Sequence, residues 1–259
     1  MGILNVTPDS FSDGGRYLQL KKAVAHLLQM ERDGADLIDI GGESTRPGAR
    51  PVSAEEEMRR VIPVLEHVRK KIHVPLSIDT SKSTVAEAAL KAGAALVNDV
   101  TALGDPAMGK VVARWGAPII LMHARGNPRT MRRRARYKNL IAEVVAELKQ
   151  AVQKALRAGI SRDCILVDPG LGFAKKPHHN FELLKHLSEI KKLGYPVVIG
   201  PSKKSFLGTV SEEPSSGRIF GTAAVVALSV FLGADIIRVH DVAAMRQVAD
   251  ASRAVREAA

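Results

Sequence analysis

The chain opens Met1-Gly-Ile-Leu-Asn-Val-Thr-Pro-Asp-Ser-Phe-Ser-Asp-Gly-Gly15, a short apolar run that passes straight into a polar loop ending in two glycines. A strand that ends this way sets Asn5, Thr7, Asp9, Ser10, Ser12 and Asp13 at or beyond its carboxyl end. Parallel α/β barrels keep their chemistry at that end. Seven later runs follow the same pattern, from a glycine or polar turn into apolar residues and on to a polar or glycine exit: Leu37–Gly42, Pro75–Asp79, Ala95–Asp99, Pro118–His123, Cys164–Asp168, Pro196–Gly200 and Asp235–His240. Short, almost continuously apolar runs suit parallel strands buried on both faces.

Helical stripes lie between these runs. Met58, Val61, Ile62, Leu65 and Val68 repeat at helical spacing behind Ser53-Ala-Glu-Glu56, which reads as a capping box, and Pro63 within the stripe predicts a kink. Leu140, Val144, Leu148 and Val152 form a second stripe, and Leu183, Leu184, Leu187 and Ile190 a third. Gly34, Gly93, Gly159, Gly194 and Gly233 stand where left-handed helix caps are needed. Strand and helix alternate eight times, which predicts an α/β chain folded as a single (β/α)8 TIM barrel over residues 1–259, with its active site at the carboxyl ends of the strands. A length of 259 residues would also hold two smaller domains, but no linker or break in composition divides the chain. The long irregular stretches 6–16, 41–53, 124–136 and 201–217 fall on the carboxyl face as substrate loops. The first two, rich in Gly, Ser, Thr and Pro, are expected to be mobile until substrate orders them.

Composition narrows the class. No apolar stretch is long enough to span a bilayer, and no signal peptide is recognisable, so a cytoplasmic protein without membrane contact is expected. The single cysteine, Cys164, reads as a small residue at a strand start. The net charge of +11 raises nucleic acid as a partner, and Arg129–Arg136 is the densest basic segment. Aromatic residues are only 4% of the chain and no nucleic-acid motif is present, so that segment reads as a solvated loop or a field attracting a small anion. His178 and His179 read as surface loop, and no cysteine–histidine spacing resembles a zinc site.

The strand exits bring together Asn5, Asp79, Asn98, Asp99, His123, Asp168, Lys203, Lys204, Arg238 and His240. Any one of them has a structural reading: Asp99 as a cap, His123 as a satisfied strand-end histidine. A purely structural barrel, however, gains nothing from gathering so many polar groups at its mouth. Asp79, Asn98 and Asp168 offer acceptors and an amide suited to a flat heterocycle with several N–H groups, while Lys204, Arg238 and His240 offer positive charge for an oxyanion.

These segments, in this order, strongly resemble the dihydropteroate synthase family. Met1–Gly15 is similar to one family signature and Ile40-Gly-Gly-Glu-Ser-Thr-Arg-Pro-Gly48 to the second. Ser77–Thr80, Val97–Val100, Leu121–His123 with Gly126–Pro128, Asp168–Phe173, Ser202–Ser205 and Arg238–Val242 add matching blocks across nearly the whole chain. The resemblance implies condensation of 6-hydroxymethyl-7,8-dihydropterin diphosphate with p-aminobenzoate to give 7,8-dihydropteroate and pyrophosphate. It implies that Asp79, Asn98, Asp168 and Lys204 grip the pterin, and that Asn5, Arg238 and His240 hold the diphosphate, with Asn5 approaching a Mg2+ ion. By the same resemblance Met122 and Phe173 line the pterin and aminobenzoate pockets, and Thr45, Arg46, Pro47 and Ser205 shape the second-substrate site. Asp13 and Arg46, on the two signature loops, join Asp79, Lys204 and Arg238 at the reacting centre, where a bridge between them would report loop closure. A homodimer through helices of the last half of the barrel is also implied. Family members usually carry a hairpin ahead of the first signature, so the barrel bottom is expected to be trimmed or closed differently here. Arg129–Arg136 is more basic than the family pattern.

Two other readings compete. A pterin-binding methyltransferase barrel shares the fold and the acidic pterin pocket, but methyl transfer has no use for the opening loop or for Gly42–Gly48. A nonenzymatic barrel binding nucleic acid through its basic surface would show salt-sensitive affinity for random oligonucleotides.

Overall fold

The computed structural model describes residues 1–6, 16–211 and 217–258. Its strands are β1 (Gly2–Asn5), β2 (Ile38–Gly41), β3 (Leu76–Asp79), β4 (Leu96–Asp99), β5 (Ile119–Met122), β6 (Ile165–Asp168), β7 (Val198–Ile199) and β8 (Ile236–Ile237). The helices are α1 (Arg16–Arg32), α2 (Ala54–Val68), α3 (Ser83–Ala92), α4 (Met108–Trp115), α5 (Leu140–Arg157), α6 (Pro177–Lys185), α7 (Leu187–Lys191), α8 (Gly208–Ser211), α9 (Ile219–Phe231) and α10 (Val242–Glu257). All eight predicted runs supply strands.

Strands β1 to β6 pair in parallel and in order, as do β7 and β8. Two parallel bridges complete the ring. Val167 pairs with Val197 beside β7, with the Val167 N–H donating to Pro196 O at 2.9 Å. Gly2 pairs with Val239 beyond β8, where Ile3 N–H donates to Val239 O and Val239 N–H to Met1 O, both at 2.9 Å.

The two-residue period of the strands sorts their side chains into two environments. Ile38, Ile40, Leu76, Ile78, Val97, Ile119, Leu121, Ile165 and Val167 belong to the main core shared with the helices. The alternate positions belong inside the ring. At its amino end Met1, Leu96, Ile120, Leu166 and Val198 form a separate apolar cluster, which closes the bottom of the barrel from within. Toward the carboxyl end the same alternation gives Asp39, Asp79, Asn98, Met122 and Asp168, all buried. An apolar floor thus lies beneath a polar chamber.

Local signals behave largely as the sequence suggests. Ser53 caps α2 by accepting from Glu56 N–H at 3.2 Å, and all five predicted cap glycines adopt positive φ. α2 runs on through Pro63, with Val61, Val64, Leu65 and Val68 on both sides of the proline buried against the same core. The two histidines assigned to a loop instead open α6, where Pro177 occupies the first turn and buried His179 accepts from Lys176 N–H at 3.1 Å. Their exposed-loop reading fails for His179 because Tyr137 packs edge-on against its ring at 5.2 Å.

Gly170, just beyond β6, has φ +70°, and a Cβ there would stand 2.0 Å from the carbonyl oxygen of His123. Only glycine allows the β5 and β6 exits to approach so closely. Gly170→Ala is expected to destabilise the fold by at least about 2 kcal/mol, from backbone strain plus the clash, as measured by urea unfolding.

Candidate active site

The chamber is organised by a carboxylate that the strand-exit reading omitted. Asp39, in the middle of β2 and 0% exposed, accepts from Arg238 Nε at 2.7 Å and from Asn98 Nδ2 at 2.8 Å, both through Oδ2. Arg238 Nη2 donates to Asp79 Oδ2, also at 2.7 Å. One guanidinium therefore joins β2 to β3 from a position just after β8. Burial raises Asp79 above the ordinary carboxylate range; Arg238 opposes the shift, while Asp39 adds to it. Asp168 is raised too, chiefly by burial and against the hydrogen bond that its Oδ1 accepts from Gly170 N–H at 2.6 Å.

Lys204 lies among these groups. Its ammonium stands 4.3 Å from the centre of the Phe173 ring and interacts with Asp79, Asp168 and Arg238. Burial, reinforced by Arg238, pulls it down to about 8. Asp79, Asn98, Asp168, Lys204 and Arg238 are thus brought together as expected, with Met122 buried beside them on the interior face of β5.

His240 adjoins this group but is not the cation that the sequence suggested. Burial, with Arg238 and Lys203 nearby, lowers it to about 4, so the ring is neutral at physiological pH. Its Nδ1 lies 2.9 Å from Ser202 Oγ and its Nε2 3.5 Å from Asn5 Nδ2. It offers the mouth of the site a polar ring rather than a charge.

The residues that the resemblance assigns to the second substrate sit on the rim. Arg46, Pro47 and Ser205 are exposed and Thr45 is half-buried. Arg46 is near enough to His240 to influence its protonation. The loop that carries Thr45, Arg46 and Pro47 has polar anchors that composition did not reveal: Val52 N–H donates to Glu43 Oε1 at 3.1 Å, Lys82 pairs with Glu43, and Gly48 N–H donates to Pro128 O at 3.0 Å. Asp13, and with it the proposed Asp13–Arg46 bridge and most of loop 6–16, lies outside the described residues.

Two exit residues prove structural. Asp99 faces away from the chamber and accepts from Thr101 N–H at 2.8 Å and Leu103 N–H at 2.7 Å, holding the left-handed Ala102 and Leu103. His123 is satisfied on both ring nitrogens, by Lys175 and Glu147, each at 3.0 Å. Lys203 is exposed and pairs with Asp241 at 3.1 Å.

The chamber offers inward acceptors from three strands. Asn98 gives its amide N–H to Asp39, which leaves Oδ1 as the acceptor; Asp79 Oδ1 and Asp168 Oδ2 remain beside it. The model of the pterin binding enzyme family matches residues 1–240. The dihydropteroate synthase of Bacillus subtilis is 48% identical over 250 residues, which cover 96% of this chain and 85% of that protein. The chain belongs to the dihydropteroate synthase family. Its fold is correspondingly close to solved members. The Xanthomonas albilineans dihydropteroate synthase with 4-aminobenzoic acid superposes with a TM-score of 0.94 at 44% identity, covering 100% of this chain and 93% of that one. The enzyme from the same organism in complex with 7,8-dihydropteroate gives 0.91 at 42% identity, covering 100% and 94%.

Asp168→Asn is expected to weaken binding of a pterin analogue by roughly 10- to 150-fold, the loss of a charge-assisted hydrogen bond worth about 1.5–3 kcal/mol. Calorimetry measures it, and unchanged affinity would remove Asp168 from the pocket.

Proposed function

We propose that the protein condenses 6-hydroxymethyl-7,8-dihydropterin diphosphate with p-aminobenzoate to form 7,8-dihydropteroate and pyrophosphate, a transferase reaction of folate biosynthesis. The observation that carries this reading is the inward set of acceptors on Asp79, Asn98 and Asp168 facing one ammonium, Lys204. A pterin edge presents amino and ring N–H donors beside a carbonyl oxygen, the complementary pattern.

The chain's own groups account for the remaining chemistry. Arg238 stays charged between Asp39 and Asp79, and no partner for its Nη1 occurs among the described residues, so that nitrogen is free to meet a diphosphate oxygen. Neutral His240 and Asn5 extend the polar surface toward the same oxygens. As the diphosphate departs, positive charge develops on the pterin methylene, and the carboxylate of Asp79 stabilises it through the ring. The aniline nitrogen of p-aminobenzoate, oriented by the rim residues Thr45, Arg46, Pro47 and Ser205 and by Phe173, then attacks that carbon. No covalent intermediate with the protein is needed.

A Mg2+ ion fits this site as a companion of the diphosphate. The described residues contain no cluster of three or more His, Cys, Asp or Glu able to cage a metal, whereas Asn5 offers one amide oxygen at the mouth. Mg2+ commonly takes most of its ligands from phosphate oxygens and water. When bound, it supplies further neutralisation of charge on the leaving group.

Incubation with the pterin diphosphate, Mg2+ and labelled p-aminobenzoate should yield labelled dihydropteroate; a folded protein that makes none would sink the assignment. The pH profile offers a second check. Lys204 loses its proton above about pH 8, so kcat/KM for the pterin substrate should fall by about tenfold per pH unit there, and Lys204→Arg should remove that limb.

The reading also carries a cytoplasmic setting, small-molecule substrates and a homodimer, without nucleic-acid or membrane partners. Among the described residues no helix is long and apolar enough to cross a membrane. Exposed Arg132, Arg133 and Arg134 form a solvated field suited to anionic substrates. Support for the dimer comes from α9, where Phe220, Leu228 and Phe231 are 84%, 54% and 54% exposed on one helix face, with Val255 of α10 66% exposed nearby in the fold's last helical pair. Phe220→Glu with Phe231→Glu should convert a dimer to a monomer in sedimentation equilibrium; an unaltered mass would exclude this face.

A further inference from the structure

Behind the pterin chamber runs a chain of charged groups that the chemistry above leaves without a role. It begins at α5, where Glu143 Oε2 accepts from Arg125 Nη2 at 2.8 Å and Glu147 Oε1 accepts from Arg125 Nε at 3.0 Å. The other oxygen of Glu147 meets His123 Nε2, and His123 Nδ1 lies 3.0 Å from Lys175 Nζ. Lysine is a donor only, so Nδ1 accepts and Nε2–H donates to Glu147. Lys175 also donates to the carbonyl of Phe173 at 2.9 Å. The neighbouring carbonyl, that of Ala174, accepts from Tyr137 O–H at 2.9 Å, and Tyr137 lies under the Arg125 guanidinium at 4.1 Å.

We infer that Lys175 is a positioning residue for the pterin site: by tying the Phe173 carbonyl to His123 it fixes the Phe173 ring, and through that ring Lys204, in the place where they meet the ligand. The segment needs such a tie. Ala174 is a non-glycine residue at φ +47°, and Gly170 and Gly172 also take positive φ, so residues 170–174 hold a conformation that local propensity alone does not favour. Leu171 and Ala174 are buried and Gly172 N–H donates to Asn180 Oδ1 at 2.7 Å, whereas Phe173 itself is only half-buried. The carbonyls of Phe173 and Ala174 are held by Lys175 and Tyr137, and both lead back to Arg125 and the carboxylates of α5. Burial brings Lys175 down to about 7; Asp168 and Glu147 favour its charge, as does the acceptor His123 Nδ1, while Arg125 and Lys204 oppose it. Its remaining field falls on Asp168, the carboxylate with the direct claim on the pterin.

The inference rests on the pterin assignment above, and its test separates the two. Lys175→Met keeps the length of the side chain and removes its donors. It should raise KM for the pterin diphosphate by about tenfold or more and weaken binding of the bare pterin, read by calorimetry, by the same factor. KM for p-aminobenzoate, which meets Phe173 but not Lys204, should rise less, by about threefold. Lys175→Arg, which keeps charge and donors, should recover part of the loss. Glu147→Gln gives an independent arm, since that side chain is 35% exposed on the far side of His123 and the change keeps its shape. It should move the pterin KM in the same direction, by about threefold.

A Lys175→Met protein with a lower Tm and fewer active molecules but unchanged pterin KM would make Lys175 a brace of the fold and overturn the inference. If Lys175→Met does not fold, an unchanged pterin KM in Glu147→Gln overturns it instead. A wild-type protein that binds no pterin defeats the functional assignment and the inference together. Wild-type turnover beside unaltered variants defeats the inference alone.

Discussion

The structure depends on partnering one carboxylate, Asp39, inside the barrel. A fully enclosed carboxylate is tolerable only when paired and hydrogen-bonded; unpaired, it costs several kcal/mol. Asp39 obtains its partners from β4 and from the exit of β8, and Arg238 extends the arrangement to Asp79 on β3. Each member makes the next one affordable in the interior, so removing any of them leaves its neighbours stranded. The same pairing orients the amide of Asn98 and sets the guanidinium of Arg238 at the edge of the chamber. Stability and substrate geometry share one set of hydrogen bonds.

The interior has two levels because strand alternation and strand chemistry change together along the ring. Leu96, Ile120, Leu166 and Val198 fill the lower level without any polar requirement. One step farther along β4, β5 and β6, Asn98, Met122 and Asp168 take over at the same radial position. The apolar floor excludes water from beneath, which strengthens every charge interaction above it. Burial accordingly dominates the shifts of Asp79, Asp168 and Lys204.

The fold was readable because its signals are local and repeated: an apolar run, a polar exit, a helical stripe, a cap glycine. Asp79, Asn98, Asp168, Lys204 and Arg238 were readable as strand-exit polar groups. Asp39 escaped because it stands in mid-strand, although it is the lone charge of the run Leu37–Gly42 and period-two alternation already turns it inward from Ile38 and Ile40. Lys175 and Glu147 were not legible, since their meeting depends on how α5 packs across the β5 exit, a contact between residues far apart in sequence. The neutrality of His240 likewise comes from burial beside Arg238, which no spacing reveals.

The contrast between the enclosed chamber and the open rim bears on how the protein can evolve. Asp39, Asp79, Asn98 and Arg238 constrain one another, so a single replacement among them leaves a buried polar partner unmatched. Arg46, Pro47 and Ser205 are solvent-facing, and a replacement there disturbs few neighbours. A lineage under pressure from a molecule that mimics the aromatic amine therefore has viable single-step routes of escape along the rim. A molecule that mimics the bicyclic substrate presses on positions where heritable variation is nearly closed off.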